Sequence, residues 1–287
     1  MQGLLLKGLR LGRNMADDLG ALERMLYSGR GIIVGMTNNG SPFVGYSLTG
    51  RSPSSQARKL VHDEKTHTIF TDVTDAAQLK KGSPALLLYP AVAFVPGRGI
   101  VASNGAQTKL LYSAARSLAD DFPALTIGRA FGHPFFEYDP KENRWIDITT
   151  FEPDEPNFTP RISACMYLPE GVCAMHHVSR VRGTTDGKAE RVTAWHLKRG
   201  KAHLITTYKG GNESPLEPSD GEPIELAFGS GLAEDIARSI YEAIKGKTPE
   251  ANYRVAVAVM LLDRDSREMP VNDAIKVVAI NKSEWGV

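Results

Sequence analysis

Short runs of strand-favouring residues recur along the whole of this 287-residue chain, and only a few stretches show helical spacing. The helical stretches are 106–120, 231–244 and a third near the start, 15–26. Because the strands come in consecutive runs instead of alternating with helices, the order predicts an α+β fold with mainly antiparallel sheets. An arrangement of two stacked sheets with helices outside them is compatible with this order of elements. The absence of internal repeats and low-complexity linkers favours one domain over 1–287, with 1–26 as an N-terminal extension.

The charge balance argues against two classes of partner. Lys and Arg number 34 against 33 Asp and Glu, so the chain has no basic excess to attract nucleic acid or a membrane surface. No apolar run approaches the roughly 20 residues that a membrane span needs. Residues 1–13 lack the long apolar region and the small-residue cleavage site of a signal peptide, so we expect a cytoplasmic protein.

The cysteines and histidines do not form a metal-binding pattern. Cys165 and Cys173 flank a turn-like segment, 168–171, where either a hairpin disulfide or two buried thiols would fit. A reducing cytosol favours the thiols. His176 and His177 are adjacent, and neighbouring strand residues point to opposite faces of a sheet. The sequence therefore predicts no metal site.

The segment 46–58 is small, polar and basic. Arg51 and Arg58 are separated by Ser, Pro, Gln and Ala, with no carboxylate between them. A guanidinium matches phosphate oxygens in pairs, and hydroxyls such as that of Ser52 can add donors. The segment is therefore either an anion site or a solvated surface loop. A lone Gly-Ser-Gly at 229–231 is a weaker phosphate candidate, with an ordinary helix entry as the alternative.

Three other segments place polar groups at strand ends, where sites usually lie. Tyr89 closes an apolar run, read as a strand over 85–89, and could direct its hydroxyl into a pocket or sit at the edge of the core. Ser103 and Asn104 stand at a strand-to-helix junction, as ligand-binding groups or as a helix cap. The loop 151–161 carries three carboxylates and an arginine among prolines, and a solvated acidic loop is the alternative.

Together these segments resemble the archaeal-type IMP cyclohydrolase family. The resemblance covers about residues 27 to 166 and is thin afterwards. No single piece decides it, but the pieces follow the order of the family. The matching pieces are Tyr27–Arg30, Asn39–Ser41, Phe43–Tyr46, Gly50–Ser52, Arg58, Tyr89, Val101–Gly105, Phe151–Glu152 with Asp154–Glu155, and Asn157–Ile162.

The resemblance implies a four-layer αββα sandwich of two mainly antiparallel sheets, like that of the N-terminal-nucleophile hydrolases. It does not imply their chemistry, because no Cys, Ser or Thr is freed at the first strand, which begins at 29–31 behind a helix. The chain departs from the family in carrying extra residues between the helix after Ser103 and Glu152. Met36 and Ser47 stand where family members have basic residues.

The resemblance also implies an enzyme that closes the purine ring of 5-formamidoimidazole-4-carboxamide ribotide to give IMP and water, in de novo purine biosynthesis. The expected ligand is a small purine nucleotide, without metal or redox cofactor, and a homo-oligomer remains open. Glu152 is expected to transfer the proton, Tyr89 to donate to the formyl oxygen and Arg58 to stabilise the oxyanion or phosphate. The residues expected to bind substrate or to support the site are Arg30, Tyr46, Arg51, Ser52, Ser103, Asn104, Thr159 and Arg161.

Two alternatives stay open. One is another purine-nucleotide or amide hydrolase on the same fold, which activity on a different substrate would select. The other is a non-catalytic nucleotide-binding protein, which tight IMP binding without turnover would select.

Overall fold

The computed structural model describes residues 17–79, 84–117, 122–168, 170–229, 231–246, 248–263 and 274–284. In chain order the elements are α1 (Gly20–Glu23), β1 (Arg30–Met36), β2 (Pro42–Thr49), α2 (Pro53–Gln56), β3 (Arg58–Asp63), β4 (Thr68–Val73), α3 (Ala76–Leu79), α4 (Pro84–Leu87), β5 (Pro90–Val95), β6 (Gly99–Ser103), α5 (Thr108–Ser117), α6 (Pro123–Phe131), β7 (Phe136–Asp139), β8 (Arg144–Asp147), β9 (Arg161–Tyr167), β10 (Val172–Arg180), β11 (Lys188–His196), β12 (Lys201–Thr206), β13 (Ile224–Ala227), α7 (Ala233–Ala243), a 3₁₀ turn (Pro249–Ala251), β14 (Arg254–Leu262) and β15 (Ile275–Asn281).

Two large sheets contain most of the strands. Six strands form the first sheet in the order β13-β12-β1-β2-β14-β15, and seven form the second in the order β11-β10-β9-β6-β5-β4-β3. Each neighbouring pair is antiparallel. The predicted α+β fold with mainly antiparallel sheets is confirmed.

The main core lies between the two sheets. Alternate residues of a strand point to one face, so Ile32 and Val34 of β1 face inward whereas Ile33 faces outward. In the second sheet, Ala164 and Met166 of β9 meet them from the opposite side. Every second side chain of these strands therefore enters the layer between the sheets, and the others enter the layers under the helices.

Helices cover the outer faces. α7 packs on the first sheet through Ile236 and Ile240, which join the cluster that contains Ile33. α5 and α6 pack on the second sheet through Leu111 and Ile127. The apolar faces of these amphipathic helices explain the layering, which runs helix, sheet, sheet, helix.

A separate hairpin, β7 with β8, packs outside α5. Ile146 of β8 and Ile148 beyond it are buried against Ala106 and Leu110 at the start of α5. Lys109 of α5 also forms an ion pair with Glu137 of β7, with 3.0 Å between Nζ and Oε1. The hairpin is thus attached by one face.

Several elements differ from the sequence prediction. The strand predicted over 85–89 is wrong, because Pro84–Leu87 forms a helical turn, in keeping with the helix propensity of Ala and Leu, and the strand starts at Pro90. The loop predicted over 180–190 is partly wrong, since β11 starts at Lys188. The helix predicted over 15–26 is reduced to α1, and the part before residue 17 lies outside the described residues.

The predictions about the cysteine and histidine side chains agree with the structure. Cys165 and Cys173 are buried free thiols, and burial raises the pKa of both. His176 packs against Phe131 of α6, whereas His177 contacts Gly221, so the two histidines do point to opposite faces. None of the helices within the described residues is long and apolar enough to cross a membrane.

Candidate active site

The candidate residues gather at one end of the sandwich. Arg30 opens β1 and is paired with Leu48 near the end of β2, while Ser103 closes β6 and is paired with Ser163 near the start of β9. Because the strands are antiparallel, segments that leave or enter the sheets here converge from distant parts of the chain. These segments are 50–58, 88–90, 104–107, 151–160 and 207–217.

A buried ion pair forms the centre of this cluster. Arg30 Nη2 lies 2.5 Å from Glu152 Oε1, and the two residues are only 9% and 3% exposed. Burial alone would lower the pKa of Arg30, but Glu152 and nearby tyrosines raise it well above its ordinary value. Arg30 comes from the first sheet and Glu152 from the loop before β9 of the second, so the pair joins the two sheets.

Asn104 fixes the carboxylate from the side of the second sheet. Its amide nitrogen donates to Glu152 Oε1 at 3.4 Å and to the Pro160 carbonyl at 2.8 Å. Its amide oxygen accepts from the Ile162 backbone N–H at 2.8 Å and from the Gln107 side chain at 3.0 Å. Among the described residues no hydrogen bond reaches the other oxygen of Glu152, Oε2, which leaves that oxygen available for a ligand.

Arg161 lies behind this group. It is 2% exposed, and its Nη1 donates to Gln107 Oε1 at 3.0 Å. Burial and the positive charge of Arg30 lower the pKa of Arg161, although Glu152 opposes them. A Cβ at Gly105 would lie 2.4 Å from Arg161 Nη1, so only glycine leaves room for the guanidinium.

Two buried tyrosines lie close to Arg30 at the same end of the sandwich. The hydroxyls of Tyr46 and Tyr89 lie 2.9 Å apart, and both residues are at most 3% exposed. Burial and the neighbouring Tyr89 raise the pKa of Tyr46 well above its ordinary value. Tyr46 therefore stays a protonated phenol at neutral pH and can donate a hydrogen bond through the pair.

Arg58 is a buried cation without a matching anion. It is 3% exposed, and its Nε donates to the Ser55 carbonyl at 3.1 Å. Within the described residues no carboxylate lies within ion-pair distance of it. A buried charge without a partner is costly, which is the arrangement expected of a group that meets an anionic ligand.

A hydrogen-bonded chain supports the loop that carries Glu152. Asp154 accepts from the backbone N–H of Thr159 at 2.6 Å and from its hydroxyl at 2.5 Å, and that hydroxyl also lies 2.5 Å from the Tyr208 hydroxyl. Burial and repulsion by Glu152 raise the pKa of Asp154 to about 6. Tyr27 stacks on Tyr208 at 5.7 Å between ring centroids. Thr159 thus joins the loop to Asp154 and Tyr208.

Three predicted residues have other local partners. Ser52 caps α2, accepting from the Ser55 backbone N–H at 3.2 Å, and is exposed. Ser103 Oγ bonds to the Gly105 carbonyl and the Thr108 hydroxyl on the α5 side of the sheet. Arg51 lies over the Tyr27 ring and donates to the carbonyls of residues 212 and 213, so it ties a loop at the rim of the site. The candidate Gly229–Gly231 includes residue 230, which lies outside the described residues.

An open cleft of ≈ 560 Å³ adjoins the other side of the 151–160 loop. Phe158 and Leu216 form part of its wall, and Arg180 lies 3.5 Å from the centre of the Phe158 ring. Leu216 also packs with Tyr27 and Tyr208, so the cleft and the buried group share a wall.

Sequence reasoning missed Tyr27, Tyr208 and Gln107 as site residues and did not single out Asp154. Tyr208 lies 49 residues from Thr159, the residue that its hydroxyl contacts. A sequence pattern within a few residues of either position does not indicate such a contact. The one available signal was position, because Tyr208 follows a strand and Gln107 precedes a helix at this end of the sandwich.

The chain is similar to known proteins over most of its length. Residues 27–124 and 142–266 match the family described as IMP cyclohydrolase-like protein. The IMP cyclohydrolase of Methanocaldococcus jannaschii is 26% identical over 245 residues, which is 84% of this chain and 96% of the relative. The IMP cyclohydrolase of Methanococcus maripaludis is 26% identical over 184 residues, or 64% of this chain and 75% of the relative. The unmatched segment 125–141 lies where the sequence predicted extra residues, and the match extends well beyond residue 166.

The raised pKa of Asp154 predicts a pH-dependent effect of Asp154→Asn on stability. Since the pKa is about 6 in the folded protein and 3.8 ordinarily, the folded state binds more protons between those values. The carboxylate therefore reduces the free energy of unfolding as pH rises from about 4 to about 6. We expect the variant to gain stability relative to wild type over that range, by up to about 3 kcal/mol. Urea unfolding at pH 4 and pH 7 measures the difference in the free energy of unfolding between the variant and wild type. A difference that is the same at both pH values would contradict the prediction.

Proposed function

The chain belongs to the IMP cyclohydrolase-like family, and on that premise we propose that it is an IMP cyclohydrolase. The reaction closes the purine ring of 5-formamidoimidazole-4-carboxamide ribotide and releases water. The observation that carries the proposal is the buried carboxylate of Glu152, oriented by Arg30 and Asn104 at the end of the sandwich that also holds the Tyr46–Tyr89 pair.

Glu152 is the proposed proton acceptor in ring closure. The carboxamide nitrogen attacks the formyl carbon, forming the N–C bond, and loses one proton to Glu152 directly or through a water. Arg30 and Asn104 both bond to Oε1, so the other oxygen, Oε2, is the one available for this proton. Since the reaction is intramolecular, holding the two arms of the substrate in contact supplies much of the rate.

Tyr89 is the proposed donor to the formyl oxygen. Negative charge develops on this oxygen as the ring closes, and a phenol already oriented by Tyr46 needs little reorganisation to stabilise it. Glu152 returns the proton that it took from the carboxamide nitrogen to this oxygen, which gives the carbinolamine. The C–O bond then breaks and the C=N bond of the purine forms, while the N–H proton of the former formamido nitrogen passes through the Glu152 carboxylate to the departing hydroxyl, which leaves as water.

Arg58 is the proposed contact for the 5′-phosphate or for the developing oxyanion. Its burial without a carboxylate partner supports this role. Arg30 Nε and Arg161 Nε are also buried and have no hydrogen-bond partner in the part of the chain that the structure describes, which adds unused donors to the same region. Asn104 is proposed to orient Glu152, with any contact to base or ribose secondary.

The layer order also supports a finer fold assignment. We infer that the chain shares the αββα sandwich of the N-terminal-nucleophile hydrolases as one domain. Gly29, Arg30 and Gly31 at the start of β1 provide no nucleophilic side chain, so hydrolysis by that route is not proposed.

The proposed activity predicts a direct result. Purified protein should convert the formamido ribotide to IMP, followed by the absorbance of IMP. The described residues contain no cluster of three His, Cys, Asp or Glu side chains able to hold a metal ion, and we expect EDTA to leave the rate unchanged. Tight IMP binding without turnover would select a nucleotide-binding protein instead. Activity on a different nucleotide would select another hydrolase.

Replacing Glu152 by Gln separates chemistry from binding. The amide keeps the shape and an acceptor for Arg30 but cannot take a proton, so turnover should fall on the order of 10²–10⁴-fold. IMP affinity, measured by calorimetry, should stay within about tenfold because the phosphate contacts lie elsewhere. Tyr89→Phe should show a milder loss of turnover, because it removes one hydrogen bond to the developing oxyanion. Lost binding with intact turnover of bound substrate would make Glu152 a ligand contact.

Replacing Arg58 by Ala tests the anion contact. Loss of a charge-assisted bond in a buried site should weaken IMP binding by roughly 30-fold or more, as for other buried charge pairs. Inosine lacks the phosphate, so its affinity should change little if Arg58 meets that group. Arg199→Ala, an exposed arginine beside the β1–β2 turn at the opposite end of the sandwich, is the control. Unchanged IMP binding and turnover in Arg58→Ala would remove the assignment.

A further inference from the structure

Tyr208 contacts the backbone segments on both sides of the buried Arg30–Glu152 pair. It follows β12 of the first sheet and is buried. Its ring packs against Gly29, the residue before Arg30, since a Cβ at Gly29 would lie 2.7 Å from the Cδ2 atom of the ring. Its hydroxyl lies 2.5 Å from the Thr159 hydroxyl, in the loop that carries Glu152. One side chain therefore spans the two segments that supply the ion pair.

Thr159 holds this loop together. Its carbonyl accepts from the Glu152 backbone N–H at 2.8 Å, and its own N–H and hydroxyl donate to the two oxygens of Asp154 at 2.6 and 2.5 Å. A threonine hydroxyl has one proton, and here the Asp154 carboxylate receives it. The Thr159 hydroxyl therefore accepts from Tyr208, whose hydroxyl is the donor at the end of the chain.

The backbone of this loop needs support at the same place. Phe158, directly before Thr159, has a φ of +44°, in the left-handed region that is unfavourable for a residue with a side chain. Arg180 lies over the Phe158 ring, whereas Thr159 is held by Asp154 and Tyr208. Because such a conformation persists only where its surroundings fix it, the loss of one neighbouring contact should displace the loop.

We propose that Tyr208 is a positioning residue for Glu152, holding the segments that carry Glu152 and Arg30 at the spacing at which carboxylate and guanidinium meet. This inference rests on the proposed cyclohydrolase function. Tyr208 is fixed from the first sheet by its stacking on Tyr27 and by the Thr206 hydroxyl, which donates to the Tyr208 carbonyl at 2.8 Å. It therefore links the first sheet to the loop that enters the second. A proton acceptor must lie within hydrogen-bond reach of its proton, so a small displacement lowers the rate steeply.

Tyr208→Phe tests this role on the full chain, with the formamido ribotide as substrate. The variant keeps the ring and its packing on Gly29 and Tyr27 and loses only the bond to Thr159. We expect kcat to fall roughly 10-fold to 100-fold, as for a misplaced catalytic group. KM and the affinity for IMP should stay within about threefold of wild type, because the interaction that is lost acts in the chemical step.

A second variant and a matched control accompany it. Thr159→Val removes the same link from the loop side, together with the bond to Asp154. The double variant Tyr208→Phe, Thr159→Val should have the kcat of Thr159→Val alone, because Tyr208 acts through that hydroxyl. The control is Tyr167→Phe, which should keep the wild-type kcat. Tyr167 is buried at the far end of β9, and its hydroxyl forms the same kind of pair with the hydroxyl of Thr126 in α6.

The outcomes are distinct. A fall in kcat alone in Tyr208→Phe, no further loss in the double variant and an unchanged Tyr167→Phe support the inference. A wild-type kcat in Tyr208→Phe, additive losses in the double variant, an equal loss in Tyr167→Phe, or a raised KM with kcat intact overturns the inference and leaves the proposed function in place. If circular dichroism shows that Tyr208→Phe is unfolded, the same split between kcat and KM in Thr159→Val decides. A wild type that does not turn over the ribotide overturns the proposed function and, with it, the role of Tyr208.

Discussion

The buried ion pair between Arg30 and Glu152 is the interaction on which the site depends. Each charge would be costly to bury alone, so each needs the other. Arg30 belongs to the first sheet, whereas Glu152 belongs to the loop that enters the second. The pair therefore fixes how the two sheets meet at this end. The loop after Glu152 is then held by its own bonds, from the Glu152 N–H to the Thr159 carbonyl and from Thr159 to Asp154.

The charges around that pair favour an anionic ligand. Arg58 and Arg161 are buried at the same end of the sandwich as Arg30. Glu152 opposes the charges of Arg30 and Arg161, with smaller contributions from Asp154 and Asp147 at Arg161, whereas Arg58 has no carboxylate within ion-pair distance among the described residues. The pKa of Asp154 is raised to about 6, so part of that opposition weakens toward acid pH. A phosphate monoester would supply the missing negative charge. The buried guanidinium of Arg58 is thus a physical reason for an anionic ligand that is separate from family membership.

The sequence predicted the sandwich better than the site. Strands β9 and β14 are buried on both faces, and their nearly continuous apolar runs are a local property of the chain. The same reasoning failed at 85–89, where a short apolar run does not distinguish a helical turn from a strand. Tyr27 and Tyr208 were missed because their contact joins residues 181 positions apart. Glu152 was found through its family resemblance, whereas its orientation by Asn104 appears only in three dimensions.

The β7–β8 hairpin, whose first strand lies outside the family match, is close in the chain to Glu152. β8 ends at Asp147, and Glu152 follows five residues later. Arg144 of the hairpin donates to the carbonyl of Pro153 at 3.3 Å, which joins the hairpin to the loop that carries Glu152. The hairpin therefore helps to position the loop that carries Glu152, both through Arg144 and through Asp147, which accepts from the Thr149 N–H and hydroxyl.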